Sequence, residues 1–153
     1  MIQRIQTLYL VVATILMAMT FIFPIAEFNI AGGVDFTLSA FSLSGGNQSE
    51  STFWMGLLLA MATAVPLVTI FLFKRRTLQI RLCAVEAVLL LGSLAFIGLY
   101  YWLSNRFFAG YDIEHKQFGW SAIMPVMALI LDVLAARAIF KDEVLVRSLD
   151  RIR

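Results

Sequence analysis

Three ionisable side chains interrupt long apolar stretches of the sequence, and their types could support chemistry or docking. Glu86 and Arg137 each lie near one end of such a stretch, whereas Asp132 lies about 12 Å inside one at a rise of ~1.5 Å per residue. A charge deep in a bilayer costs about 3 kcal/mol or more, so such residues face protein or water and pair with one another. We therefore take Glu86, Asp132 and Arg137 as the candidate structural or partner-docking residues.

Spacing along the helix decides which of these residues can pair. Arg137 follows Asp132 by five residues, and helical neighbours are three or four apart. We expect Glu86 to pair with Arg137 across helices, and Asp132 to be either hydrogen-bonded and partly protonated or paired with a basic residue of a partner subunit. Ala128 and Ala135 share the face of Asp132, which indicates that this side chain points into the protein. A polar clamp, a proton or ion relay and a docking site are the open alternatives.

Four apolar stretches of about 20 residues must position these side chains, and each is long enough to cross a hydrocarbon core of ~30 Å. They cover residues 7–26, 53–73, 82–103 and 119–140. The hydrophobic content of 61% and the mean hydropathy of +0.86 exclude a soluble domain. The predicted fold is an all-α membrane protein, with residues 1–153 forming a single antiparallel bundle of four transmembrane helices.

The basic residues fall almost entirely on one side of these stretches. Of the twelve Lys and Arg residues, only Arg106 and Lys116 lie on the other side. The positive-inside rule then places both termini in the cytoplasm. The same reasoning places the loop at residues 74–81 and a helical tail at 141–153 in the cytoplasm. It places the loops at 27–52 and 104–118 on the outer side. The net charge of +2 is too small to indicate a nucleic-acid partner.

The first outer loop has a pattern of its own. Residues 27–30 and 34–38 alternate apolar and polar side chains on either side of a glycine-containing break at 31–33. This pattern predicts a small β-hairpin between the first two helices, with an irregular loop as the alternative. We expect residues 45–51 to be a polar return to the second helix, and the loop at 104–117 to be solvated.

Small residues and an amphipathic tail suggest contact surfaces. Gly56, Ala60 and Ala64 recur every four residues, a spacing that lets another membrane helix approach closely, so we predict a helix-packing face there. In the tail, Leu145, Leu149 and Ile152 form one stripe, which predicts a helix that lies on the membrane surface or meets another protein.

Motifs for catalysis and metal binding are missing from the sequence. It contains no phosphate-binding glycine loop, no HExxH and no CxxCH, and its single cysteine, Cys83, cannot form an intramolecular disulfide. Asp112, Glu114 and His115 lie close together, but their spacing matches no common metal site. We therefore expect no catalytic residue, no cofactor and no metal, and a protein that is not an enzyme.

The two ends of the chain carry a family resemblance. The opening MIQRIQTLYL at 1–10 and the closing RAIFKDEVLVRSLDRIR at 137–153 resemble a group of short four-span inner-membrane proteins of Bacteroidota, catalogued as domain of unknown function 4293. The resemblance covers the whole chain and implies a location in the bacterial inner membrane. It implies no activity and no site residues.

These observations favour an accessory or assembly subunit of a larger inner-membrane complex, surrounded by lipid and bound to another membrane protein or to a second copy of the chain. Two alternatives come from other classes. A small transporter or channel component would use an intramembrane acid and needs a polar path, yet the outer halves of the four stretches lack charge. An enzyme of membrane lipids or quinones needs several ionisable groups around a pocket, and only Glu86, Asp132 and Arg137 qualify.

Overall fold

The computed structural model describes residues 2–30, 34–45, 48–72, 75–107 and 113–150. Within these residues the chain is mostly helical and carries a small antiparallel β-sheet. In chain order the elements are α1 (Ile2–Met19), β1 (Ala26–Ile30), β2 (Val34–Leu38), β3 (Ser42–Gly45), β4 (Gln48–Ser51), α2 (Phe53–Phe71), α3 (Arg76–Phe107), β5 (Ile113–Phe118), a 3-10 turn (Trp120–Ile123) and α4 (Met124–Asp150).

Three helical segments of the described chain are long and apolar enough to cross a membrane. They are Phe53–Phe71, Arg76–Ser104 and Trp120–Val146, and a shorter apolar helix covers Ile5–Met19. At ~1.5 Å per residue, the 32 residues of α3 extend for about 48 Å, which is longer than a hydrocarbon core. The chain therefore has the helices of a membrane protein.

The first helix ends earlier than the predicted stretch at 7–26. After Met19 the chain makes turns, in which the backbone N–H of Ile22 donates to the Met19 carbonyl at 3.0 Å. Pro24 has no N–H to donate, and β1 begins at Ala26. Hydropathy alone does not separate the end of an apolar helix from the apolar start of a strand, so the predicted boundary was wrong by seven residues.

The helices pack as a closed ring in which α1 contacts α2 and α4, and α3 contacts the same two helices. Their buried positions alternate in steps of four and three residues, the 3.5-residue period of left-handed helix packing. On the three helices that surround the polar site these positions are Gln6, Leu10, Ala13 and Met17 on α1, Gln79, Cys83, Glu86, Leu90, Ser93 and Ile97 on α3, and Ala128, Asp132, Ala135 and Ile139 on α4.

The predicted hairpin is present, but it belongs to a larger sheet. Strands β1 and β2 pair with Phe28 opposite Phe36, and both side chains are buried among residues from the ends of the helices. Glu27 and Asn29 are exposed, as the alternating pattern requires. The five strands lie in the order β4-β3-β2-β1-β5.

Two segments predicted to be loops contain strands. Residues 104–117 were expected to form a solvated loop, but α3 continues to Phe107 and β5 pairs with β1, with Ala26 opposite Phe118. Within the predicted return at 45–51, β4 pairs with β3. Backbone hydrogen bonds hold these polar strands, so the strands need no alternating apolar pattern. The β1–β5 pairing also joins residues about ninety positions apart, which a local pattern in the sequence does not reveal.

The helices have two distinct ends. The sheet end carries the five strands, and the tail end carries the turn from α2 to α3 together with the last turns of α4. The predicted loop at 74–81 is mostly helical, because α3 begins at Arg76. The predicted helical tail is confirmed as far as Asp150, while residues 151–153 and the side chain of Leu149 lie outside the described part.

Candidate functional site: a buried carboxyl pair

Two of the three predicted polar residues meet between α3 and α4. Glu86 is 0% exposed and Asp132 is 1% exposed. Their carboxyl groups lie close enough together to interact. The prediction that Asp132 points into the protein is therefore confirmed, and an acid, Glu86, lies beside it.

The helix periodicity explains how these two side chains meet. Glu86 follows Cys83 by three residues and precedes Leu90 by four, so it lies in the buried seam of α3. Asp132 has the same relation to Ala128 and Ala135 on α4. Antiparallel helices that share a 3.5-residue period bring such positions face to face.

Apolar layers enclose the pair on both sides. Towards the sheet end, Leu90 and Ala128 belong to one buried hydrophobic cluster. Towards the tail end, Leu10, Ala135 and Ile139 form a second cluster together with Cys83. The carboxyl groups therefore lie in a low-dielectric interior, where an uncompensated charge is expensive.

The described part of the protein offers these carboxyl groups almost no hydrogen-bond donors. Both Glu86 oxygens, Oε1 and Oε2, and the Asp132 oxygen Oδ1 are buried and receive no hydrogen bond there. A carboxylate only accepts hydrogen bonds, so a bond between two carboxyl groups requires a proton on one of them. Two like charges side by side in a buried site repel each other, so the site disfavours the state in which both carboxyl groups are ionised.

The thiol of Cys83 lies against the same site. It is 1% exposed and makes a side-chain contact with the Asp132 carboxyl group. Cys83 also packs with Leu10 and Ile139. The position of the Asp132 carboxyl group beside this thiol is shown only by the folded structure.

The expected pair between Glu86 and Arg137 does not form. The Glu86 oxygens have no donor among the described residues, and Arg137 is exposed on the opposite face of its helix. Charged heads of long side chains reach towards the polar boundary more cheaply than they enter an apolar core. The described basic residue that joins α3 to α4 is instead Arg76, whose Nη1 lies 2.9 Å from Asp142 Oδ2.

Three further polar residues in the buried seams were not predicted. Gln79 donates from Nε2 to the Thr69 carbonyl at 3.0 Å, and Ser93 donates to the Leu90 carbonyl at 2.8 Å. The Nε2 of Gln6 is buried and has no acceptor among the described residues. Extending the 3.5-residue register through the polar positions of α1 and α3 would have found all three.

The predicted packing face on α2 divides between two environments. Gly56 is buried under the ring of Phe41, with which a Cβ at this position would overlap. Ala60 and Ala64 are exposed. The buried face of α2 is formed by Met55, Gly56, Leu59, Ala62, Pro66 and Thr69. Within this chain Ala60 and Ala64 are not buried against another helix, because α2 is rotated to bury its 3.5-residue stripe, and the predicted packing with another membrane helix stays a prediction.

The chemistry open to this site is the storage or transfer of a proton, or a polar clamp between two helices. Within the described residues, no group of three or more His, Cys, Asp or Glu is placed to hold a metal ion. His115 is exposed on β5, and Asp112 lies outside the described part of the chain.

Comparison with known proteins adds a family but no activity. A comparison with curated proteins gives no match. The family model described as a domain of unknown function, DUF4293, matches residues 2–152, almost the whole chain and both of the ends on which the resemblance rested. The chain belongs to this family.

Proposed function

We propose that the chain is an integral protein of the bacterial inner membrane that acts as a non-catalytic accessory or assembly subunit of a larger membrane complex. It would cross the membrane four times as an antiparallel four-helix bundle. Its tail end and both termini would lie in the cytoplasm, and its sheet would lie on the outer side.

The packing of α1 supports four crossings. The 18 residues of α1 span about 27 Å at ~1.5 Å per residue, close to the ~30 Å of a hydrocarbon core. This helix lies beside α2 and α4, and it reaches the sheet end together with them. A helix packed along its length with two spanning helices shares their environment. The positive-inside rule then assigns the tail end, where most Lys and Arg residues lie, to the cytoplasm.

The accessory role is carried by the exposed pair of small residues on α2. Ala60 and Ala64 are one turn apart and face away from the other helices of the chain. Large apolar side chains flank them, including Leu57 and Met61, which are 39% and 48% exposed. Small residues at this spacing allow close backbone approach, which is how membrane helices associate without a hydrophobic driving force. We infer that a helix of another membrane protein packs here.

Bulky substitution of this pair tests the proposal. The double variant Ala60→Leu, Ala64→Leu and the control Ala84→Leu would each be expressed at native level and extracted in a mild detergent. Ala84 is an exposed alanine on α3, so the control adds the same side chain at another lipid-facing position. We expect a co-purifying membrane protein with the native chain and the control, and its loss with the double variant. Recovery of the native chain only as a free monomer would contradict the accessory role.

The buried carboxyl pair favours a second candidate, a proton-transferring component of a transporter. Glu86 and Asp132 lack a basic partner in the described part of the chain, and acids of this kind within membrane helices often serve in proton relays. Asp132→Asn keeps the shape of the side chain and removes its acid. Proteoliposomes that contain the purified protein and a pH-sensitive dye would report proton flux. Flux that disappears in this variant supports the relay, and an absence of flux in the native protein rejects it.

A further inference from the structure

The tail end contains an open groove whose chemistry differs from that of the carboxyl pair. Its volume is about 630 Å³. It lies where the start of α3 meets the last turns of α4, and its lining is formed by Arg75, Arg76, Thr77, Leu78, Arg81 and Glu143. Three arginines thus line one opening.

The three arginines have different partners. Arg76 is held in place by α4, since its Nη1 contacts the Asp142 carboxylate at 2.9 Å and the Asp142 carbonyl at 3.5 Å. Arg75 and Arg81 are exposed, and neither forms an ion pair with the described residues. Glu143, the acid in the lining, has another interaction of its own. Among the described residues, the groove therefore has two arginines without an ion-pair partner beside a third that is paired with α4.

The position of the groove also favours an anionic ligand. Arg75 immediately precedes α3, and the positive end of the α3 macrodipole lies at the same place. The apolar segment of α3 follows within a few residues, so a membrane-inserted α3 would hold these groups at the level of lipid headgroups. Guanidinium groups bind phosphate oxygens through paired hydrogen bonds.

We propose that this groove binds a phosphate group, with Arg75 and Arg81 as its ligands. The phosphate belongs either to the headgroup of an anionic phospholipid or to a soluble phosphate compound. The inference does not depend on the accessory role, because the groove and the Ala60–Ala64 face lie on different parts of the molecule.

Substitution of Arg75 and Arg81 tests this site. The full-length protein would be reconstituted in vesicles of equal parts phosphatidylcholine and phosphatidylglycerol, and then extracted with its bound lipid. Mass spectrometry gives the ratio of the two retained lipids. In a second arm, binding of inorganic phosphate to delipidated protein in a neutral detergent would be followed by calorimetry.

The variant is Arg75→Ala, Arg81→Ala, which leaves the Arg76–Asp142 ion pair intact. The control is Arg137→Ala, because Arg137 is an exposed arginine near the same end that does not line the groove. We expect each arginine removed from the groove to weaken phosphate binding about fivefold, and the control to change it little.

The two arms separate the possible sources of the phosphate. Enrichment of phosphatidylglycerol that the double variant loses assigns a lipid phosphate. Binding of inorganic phosphate without lipid enrichment, again lost in the double variant, assigns a soluble ligand. If neither arm shows binding, or if the control weakens binding as much as one groove substitution does, the basic cluster acts only through its net charge and the proposal is overturned.

Discussion

The sheet end and the carboxyl layer bury polar groups in opposite ways. At the sheet end, Ser121 donates to the Pro24 carbonyl at 2.8 Å, Thr52 donates to the Ala40 carbonyl at 3.3 Å, and the Gly119 N–H donates to the Ile25 carbonyl at 2.9 Å. In the carboxyl layer, both oxygens of Glu86 and one of Asp132 receive no donor from the described residues.

This difference separates polar groups that folding explains from polar groups that it does not. Ser121 and Thr52 each donate to a backbone carbonyl at the sheet end, so the fold accounts for their presence. Three of the four carboxyl oxygens of the pair accept no hydrogen bond from the described residues, and apolar residues could fill the same seam at lower cost. An acid pair in an apolar interior that the fold does not require points to a functional role for the interface of α3 and α4.

The largest expected effect lies at the sheet end. A Cβ at Gly119 would overlap the carbonyl oxygen of Pro24, which is backbone and cannot move aside cheaply. We expect Gly119→Val to destabilise the protein by about 3 kcal/mol, through overpacking and loss of the hydrogen bond to Ile25. Unfolding in mixed micelles measures the change. Gly92→Ala is the control, because a Cβ there meets nothing within 4 Å and helix propensity favours alanine.

An intermediate effect is expected in the carboxyl layer. Asp132→Ala removes the partner of Glu86 and leaves a buried carboxyl group alone, so we expect a loss of about 2 kcal/mol in unfolding free energy. Asp132→Asn keeps the volume and supplies an N–H₂ donor to Glu86, and its cost should stay within about 1 kcal/mol. The same micelle assay compares the two. If both substitutions cost the same, the contact between the two side chains contributes little.

The smallest expected effect on stability is again at the sheet end. Ser121→Ala removes a hydroxyl donor shared by the Phe23 and Pro24 carbonyls, and we expect a loss of about 1 kcal/mol. Ser148→Ala should leave stability unchanged, because Ser148 is exposed and its carbonyl acceptor can be solvated. A Ser121 variant as stable as the native protein would show that neither carbonyl depends on this hydroxyl, and it would weaken the contrast between the two regions.

Much of the helical part and the two acids of the candidate site were predictable, but the contact between the two acids was not. Hydropathy located the apolar segments of α2, α3 and α4, and the alternation at 27–38 located β1 and β2. Glu86 and Asp132 stood out because acids are rare in such segments. Their mutual contact was not predictable, because it depends on the rotation of α3 against α4. Charge complementarity favoured Arg137 as the partner, but the energy of packing the 3.5-residue stripes decided the rotation.

The local sequence was sufficient to predict those features whose free energy of formation depends on a single segment. Transfer of an apolar stretch out of water depends on its own side chains, and so does the period-2 alternation of a half-buried strand. Tertiary structure decided the rest. The pairing of β5 with β1, the exposure of Ala60 and Ala64, the Arg76–Asp142 ion pair and the facing of two acids each depend on which distant backbone lies alongside. Those contacts join segments that are distant in the sequence, so no single segment carries their signal.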